Sequence, residues 1–94
     1  MIADPDRIVE DLTALVAIPS VTGSERRAQE HMAALMEEAT LEVEWIEADP
    51  DELADDPAFP GIEVPRTDLP IVIGRYASGR PGPTRMLLGH VDVV

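Results

Sequence analysis

An α/β fold is what this sequence predicts, and three observations predict it. Two stretches near the N-terminus repeat apolar residues at helical spacing, later stretches alternate or run apolar as strands do, and no internal repeat interrupts the order. The expected order is two helices followed by three strands, the last two joined as a hairpin, in a sheet left incomplete. The length of 94 residues, with 45% apolar and 28% charged, suits one small domain or part of a larger one. Aromatic residues make up only 3%, so the core should be aliphatic.

The first element is "ADPDRIVEDLTALVAIPS". Asp4 can cap it, Pro5 takes the first helical position, and Asp6 favours the positive end of the helix dipole. Ile8, Leu12, Leu15 and Val16 form the stripe expected to be buried. Pro19 drives Ile18 out of helical geometry, so the helix should end near Ala17. A turn, "SVTGSE", leads to a second start signal. Thr22 with Glu25 reads as a capping box, with Ser24 as a competing cap. The second helix runs through "RRAQEHMAALMEEA", with Ala28, Met32, Leu35 and Met36 on its apolar face. His31 lies beside Glu30 on the polar face and reads as solvated.

"LEVEWIE" (41–47) alternates apolar and acidic residues and reads as a strand with one wet face. Trp45 is a core or edge-packing residue there. Residues 48–69 follow as an acidic, Pro-rich loop with one short helical turn around Asp51–Ala54. That is long for a connection inside a compact domain. "IVIGRYA" (71–77) is the second strand, "SGRPGPT" a Gly/Pro turn, and "RMLLGHVDVV" the third strand. So short a link predicts antiparallel pairing of the last two. The third strand is the most apolar and should be central. A central strand needs a neighbour on each side, so residues 1–94 read as the N-terminal portion of a single domain that is cut short.

Charge narrows the partners. There are 19 acids against 7 basic residues, all of them Arg, for a net charge of −12. This argues against nucleic acid or an anionic membrane as partner. The central third from Glu37 to Asp68 holds 12 of the acids, offset by Arg66 alone. It reads as a solvated surface, with adaptation to high salt as the sharper alternative. Cysteine is absent, which removes disulfides, Cys-based zinc sites and a Cys nucleophile. With no signal-peptide pattern and no stretch long enough to span a membrane, a soluble cytoplasmic protein is expected. "VTGSE" lacks the nucleophile-elbow pattern, and "GRPGP" is not a phosphate loop.

One motif carries chemistry. Gly89-His90-Val91-Asp92 closes an apolar run, and residues i and i+2 of an extended chain share a face. Asp92 can therefore accept a hydrogen bond from one nitrogen of His90 and leave the other for a metal. The pair also sits at the end of a predicted buried strand, where open α/β sheets place their ligands.

"LTALVAIPSVTGSE" (12–25), "MLLGHVDVV" (86–94) and the acidic insertion before "LPIVIGRYA" occur in an order that resembles the N-terminal region of the M20 family of zinc-dependent peptidases and deacylases. The insertion is similar to the branch of acetylornithine deacetylase and succinyl-diaminopimelate desuccinylase-like enzymes. The resemblance implies part of a zinc-hydrolase catalytic domain that binds two zinc ions, with cobalt as an alternative metal. It implies cleavage of an amide bond in a small-molecule N-acyl amino acid or short peptide, and a homodimer in the complete protein. His90 matches a zinc ligand, and Asp92 matches the catalytic-site aspartate that orients it. The bridging aspartate, the glutamate base and the other ligands would lie beyond Val94, so residues 1–94 alone should be inactive. The alternative is a non-catalytic module or degenerate homologue that keeps the fold without the metals.

Overall fold

The computed structural model describes residues 3–62 and 64–94 and shows a mixed α/β arrangement built on an open two-stranded sheet. Helix α1 spans Pro5–Val16. Asp4 caps it, its Oδ1 accepting from the backbone N–H of Asp6 at 3.0 Å and of Arg7 at 3.5 Å. The start, the cap and the stop before Pro19 follow the sequence expectation. Burial does not. No α1 residue is buried, and Ile8, Leu12 and Val16 are 54%, 57% and 68% exposed. An amphipathic stripe is buried only where a second layer covers it, and α1 makes few contacts with α2.

Helix α2 spans Arg26–Glu38 and lies across one face of the sheet. Ala28 and Ala33 are buried, while Met32, Leu35 and Met36 are half-buried. Strands β1, Glu42–Ala48, and β2, Leu69–Arg75, pair antiparallel from Glu42 opposite Arg75 to Ala48 opposite Leu69. Gly74 makes the close approach of α2 to β2 feasible. A Cβ there would sit 2.9 Å from Met36 Sδ and 3.0 Å from Leu41 Cδ1. Trp45, in β1, is 37% exposed. Thr40, at φ 62°, makes the turn from α2 into β1.

Between the strands, a four-residue helix α3, Pro50–Leu53, supplies the short turn expected in the acidic loop. Its cap is Asp49, whose Oδ1 accepts from the backbone N–H of Asp51 at 2.9 Å. Arg26 ties the two ends of this long connection together. It donates to Glu47 through Nη1 at 2.7 Å and Nη2 at 2.6 Å, and to Asp68 through Nε at 2.9 Å. The hairpin is therefore β1–β2, closed over a long loop.

The expected third strand and its hairpin with residues 71–77 are not formed. Residues 76–92 carry no strand, and Met86, Leu87 and Leu88 are 83%, 100% and 93% exposed. The apolar pattern marks a segment able to pair, but pairing needs a neighbour that these residues do not meet. Only Val93 joins regular structure, through one parallel bridge to Val21. Among the described residues, no helix is long and apolar enough to cross a membrane.

Candidate functional site

The site begins with the turn that follows α1. Residues 20–22 and 91–93 run side by side. The Val93 N–H donates to the Ser20 carbonyl at 2.9 Å, and the Thr22 N–H donates to the Val93 carbonyl at 3.3 Å. The Ser20 hydroxyl donates to the Val91 carbonyl at 3.0 Å, with Ser20 only 2% exposed. A small hydroxyl is what this position needs, because a buried polar group must find a partner. These bonds hold the chain on both sides of Asp92.

Asp92 then serves two partners. The Thr22 hydroxyl donates to its Oδ2 at 2.7 Å, and its Oδ1 lies 3.0 Å from His90 Nδ1. The Thr22 hydroxyl is the main influence holding the Asp92 carboxyl below the ordinary range. Partial burial opposes this, and the His90 ring adds to it. A charged carboxylate at Nδ1 favours the tautomer with its proton there, which leaves Nε2 as the free acceptor. His90 is 85% exposed against 29% for Asp92, so the ring stands in the open on an anchored base. The shared face expected of His90 and Asp92 is thus observed, although no strand holds it.

A cavity of about 290 Å³ adjoins this pair, lined in part by Thr22, Glu25, Phe59, Ile62, Arg66 and Asp92. Its charges answer one another. Arg66 Nη2 donates to Glu25 Oε1 at 2.8 Å, and the two side chains are 9% and 11% exposed. The same oxygen accepts from the Gly23 N–H at 2.7 Å. Burial alone would raise the Glu25 pKa. The backbone donors of Gly23 and Glu25 itself, with Arg66, outweigh burial and lower it. Glu25 Oε2 is buried with no hydrogen-bond partner among the described residues.

The capping box read from Thr22 and Glu25 is therefore not formed. Glu25 occupies the cap position of α2 without a side-chain cap bond, and Thr22 turns to Asp92 instead. Two long-range partners won over a local pattern. The structure adds Ser20, Thr22 and Arg66 to the surroundings of the His90–Asp92 pair. The signal available for the first two was their i, i+2 spacing in an extended turn, which places both hydroxyls on one side. Arg66 was visible only as the one cation in the acidic third. His31 also departs from its solvated reading. It is half-buried, and its Nε2 is buried with no partner among the described residues.

Gly23 sets the turn. Its φ is 98°, and a Cβ there would lie 2.9 Å from Val64 Cγ2. Gly23→Ala should cost about 1–3 kcal/mol, from backbone strain together with the clash. Urea unfolding of the variant checks this, and an unchanged midpoint would contradict the geometry.

Among the described residues, no group of three or more His, Cys, Asp or Glu is placed to hold a metal ion. His90 fits the role of one ligand with an oriented ring, and the described residues place no second ligand beside it. Comparison of the chain with protein-family models, with curated proteins and with solved structures finds no match.

Proposed function

We propose that residues 1–94 act as the N-terminal portion of a zinc-hydrolase catalytic domain of the M20 type. His90 serves as a zinc ligand, and Asp92 orients it. The observation that carries this is the 3.0 Å approach of Asp92 Oδ1 to His90 Nδ1 on a ring that is 85% exposed. A carboxylate–imidazole pair with Nε2 free is the form in which histidine meets zinc. The reaction would be hydrolysis of an amide bond in an N-acyl amino acid or short peptide, in the cytoplasm. Two zinc ions, when bound, would supply an activated water and a polarised carbonyl.

This chain's own contribution is positional. Thr22 and the 20–22 turn hold Asp92, Asp92 holds the tautomer and angle of His90, and His90 offers one nitrogen. Zinc sites need three or four protein ligands, so the chain by itself should bind metal weakly and hydrolyse nothing.

Titration of the chain with zinc chloride, followed by NMR of the two imidazoles, tests the assignment. The His90 Nε2 signal should move with a weak, saturable dependence, and Asp92→Asn should weaken binding by about 10–100-fold. A His90 signal unmoved by zinc, or one that moves identically in Asp92→Asn, would overturn the reading.

A further inference from the structure

The acidic connection between β1 and β2 is held by two arginines, and only one of them reaches toward the His90–Asp92 pair. Arg26 binds Glu47 and Asp68 at the two ends of the loop, in contact with solvent. Arg66 points away from the loop. Its side chain is 9% exposed and ends on Glu25 Oε1, at the cap position of α2. A buried ion pair adds little net stability over a well-packed apolar pair, and its best-attested use is to fix a geometry. Closing the loop does not call for Arg66, since Arg26 and the strand ladder already do so.

Glu25 Oε1 is a shared acceptor. It takes the Arg66 Nη2–H at 2.8 Å and the Gly23 N–H at 2.7 Å. The Gly23 N–H belongs to the peptide plane that follows Thr22, so holding it fixes the ψ of Thr22. Threonine is β-branched and stiff about χ1, so a fixed backbone aims its hydroxyl. That hydroxyl donates to Asp92 Oδ2 at 2.7 Å and so turns Oδ1 toward His90 Nδ1. The backbone hold on Thr22, its N–H to the Val93 carbonyl, is 3.3 Å long. That lies beyond the usual range of about 2.7–3.2 Å, so it fixes the residue less firmly. Arg66, Glu25, Thr22 and Asp92 all line one cavity, which keeps the route short.

We propose that Arg66 is a positioning residue for the His90–Asp92 pair, acting through Glu25, the Gly23 amide and the Thr22 hydroxyl. The loop 48–69 is then part of the site, because it delivers the guanidinium that aligns the imidazole. The consequence for metal binding rests on the zinc reading above; the alignment of the ring does not.

Imidazole nitrogen NMR of the metal-free 94-residue chain, above the ordinary histidine pKa of about 6.5, reads the tautomer of His90 directly. The parent should hold mainly the Nδ1–H form. Arg66→Gln should lower the ratio of Nδ1–H to Nε2–H at least about two-fold, the smallest coupling typical of residues in one network. The contact is a single Nη2 bond, so Arg66→Lys should restore most of the ratio. Arg26→Gln removes the bonds to Glu47 and Asp68 but none to Glu25, and should leave the ratio as in the parent. In a Thr22→Val background, Arg66→Gln should change the ratio no further, because the route is already cut. Should Arg66→Gln not fold, Glu25→Gln, which retains an acceptor for Gly23, is expected to move the ratio the same way by a smaller factor. An unmoved ratio overturns the proposal. So does an equal shift in Arg26→Gln, which would make loop tethering the cause, or a further shift on the Thr22→Val background. Zinc binding is read separately: a parent His90 that ignores zinc removes the metal assignment, whereas the tautomer decides the role of Arg66.

Discussion

His90→Ala, in a protein that joins this segment to the remaining ligands of a two-zinc centre, is expected to abolish amide hydrolysis and lower the zinc content. The loss should exceed the roughly 10–100-fold that changing an outer-sphere partner costs, because the metal loses a donor outright. Asp92→Asn should fall within that smaller range. The amide still fits between Thr22 and the imidazole, but the charge that favours the Nδ1–H tautomer is gone. The pH dependence follows from the direction of the Asp92 shift. Its folded pKa is depressed, so the pair is intact above the ordinary carboxylate value and is lost only as pH falls through the lower folded one. Any loss of activity near neutrality must then come from another group. Steady-state hydrolysis with metal analysis checks all three statements. Full activity and unchanged zinc in both variants would remove the enzyme reading.

The second large effect is structural. Glu25→Ala leaves the Arg66 guanidinium, at 9% exposure, without its carboxylate, and leaves the Gly23 N–H without its acceptor. Removing one partner of a pair this well buried costs about 3 kcal/mol. Glu25→Gln keeps the shape and one acceptor and should cost less. The carboxyl is held below its ordinary pKa, so its contribution is complete above the unfolded value of about 4.3. It is lost as pH falls through the lower folded value. Urea unfolding at neutral and acid pH should show the parent losing stability at the acid end while Glu25→Ala changes less. Equal acid sensitivity in the two would place the titrating group elsewhere.

The local signals in this sequence were legible and the long-range ones were not. Asp4, Pro5 and Pro19 delimited α1 because capping and proline geometry act within a few residues. The alternation at 41–47 and the apolar run near 71–75 marked the two strands that form. Residues 85–94 misled because an apolar run states what a segment could pair with, and only the tertiary arrangement supplies the partner. The His90–Asp92 contact was readable because two residues of extended backbone suffice to define it. Its support by Ser20 and Thr22 bridges about 70 positions of chain, and no local pattern encodes that distance.

Helix α1 has one more implication, for the order in which the molecule opens. None of its twelve residues is buried, and its long-range anchors include the Arg7–Glu38 ion pair at 3.1 Å, both partners more than half exposed. A helix of that length is marginal in water without packing, and exposed ion pairs add little. The sheet and α2 share the strand ladder and the buried alanines, so they form the more cooperative unit. Amide hydrogens of α1 should therefore exchange with solvent through a local opening that leaves β1, β2 and α2 intact. The 20–22 turn, which begins three residues after the α1 cap at Ala17, sits at the boundary between the two regimes. The anchor of His90 thus belongs to the slowly exchanging unit only as far as the Ser20–Val93 bonds hold, which makes that short clamp the hinge between a labile helix and a protected sheet.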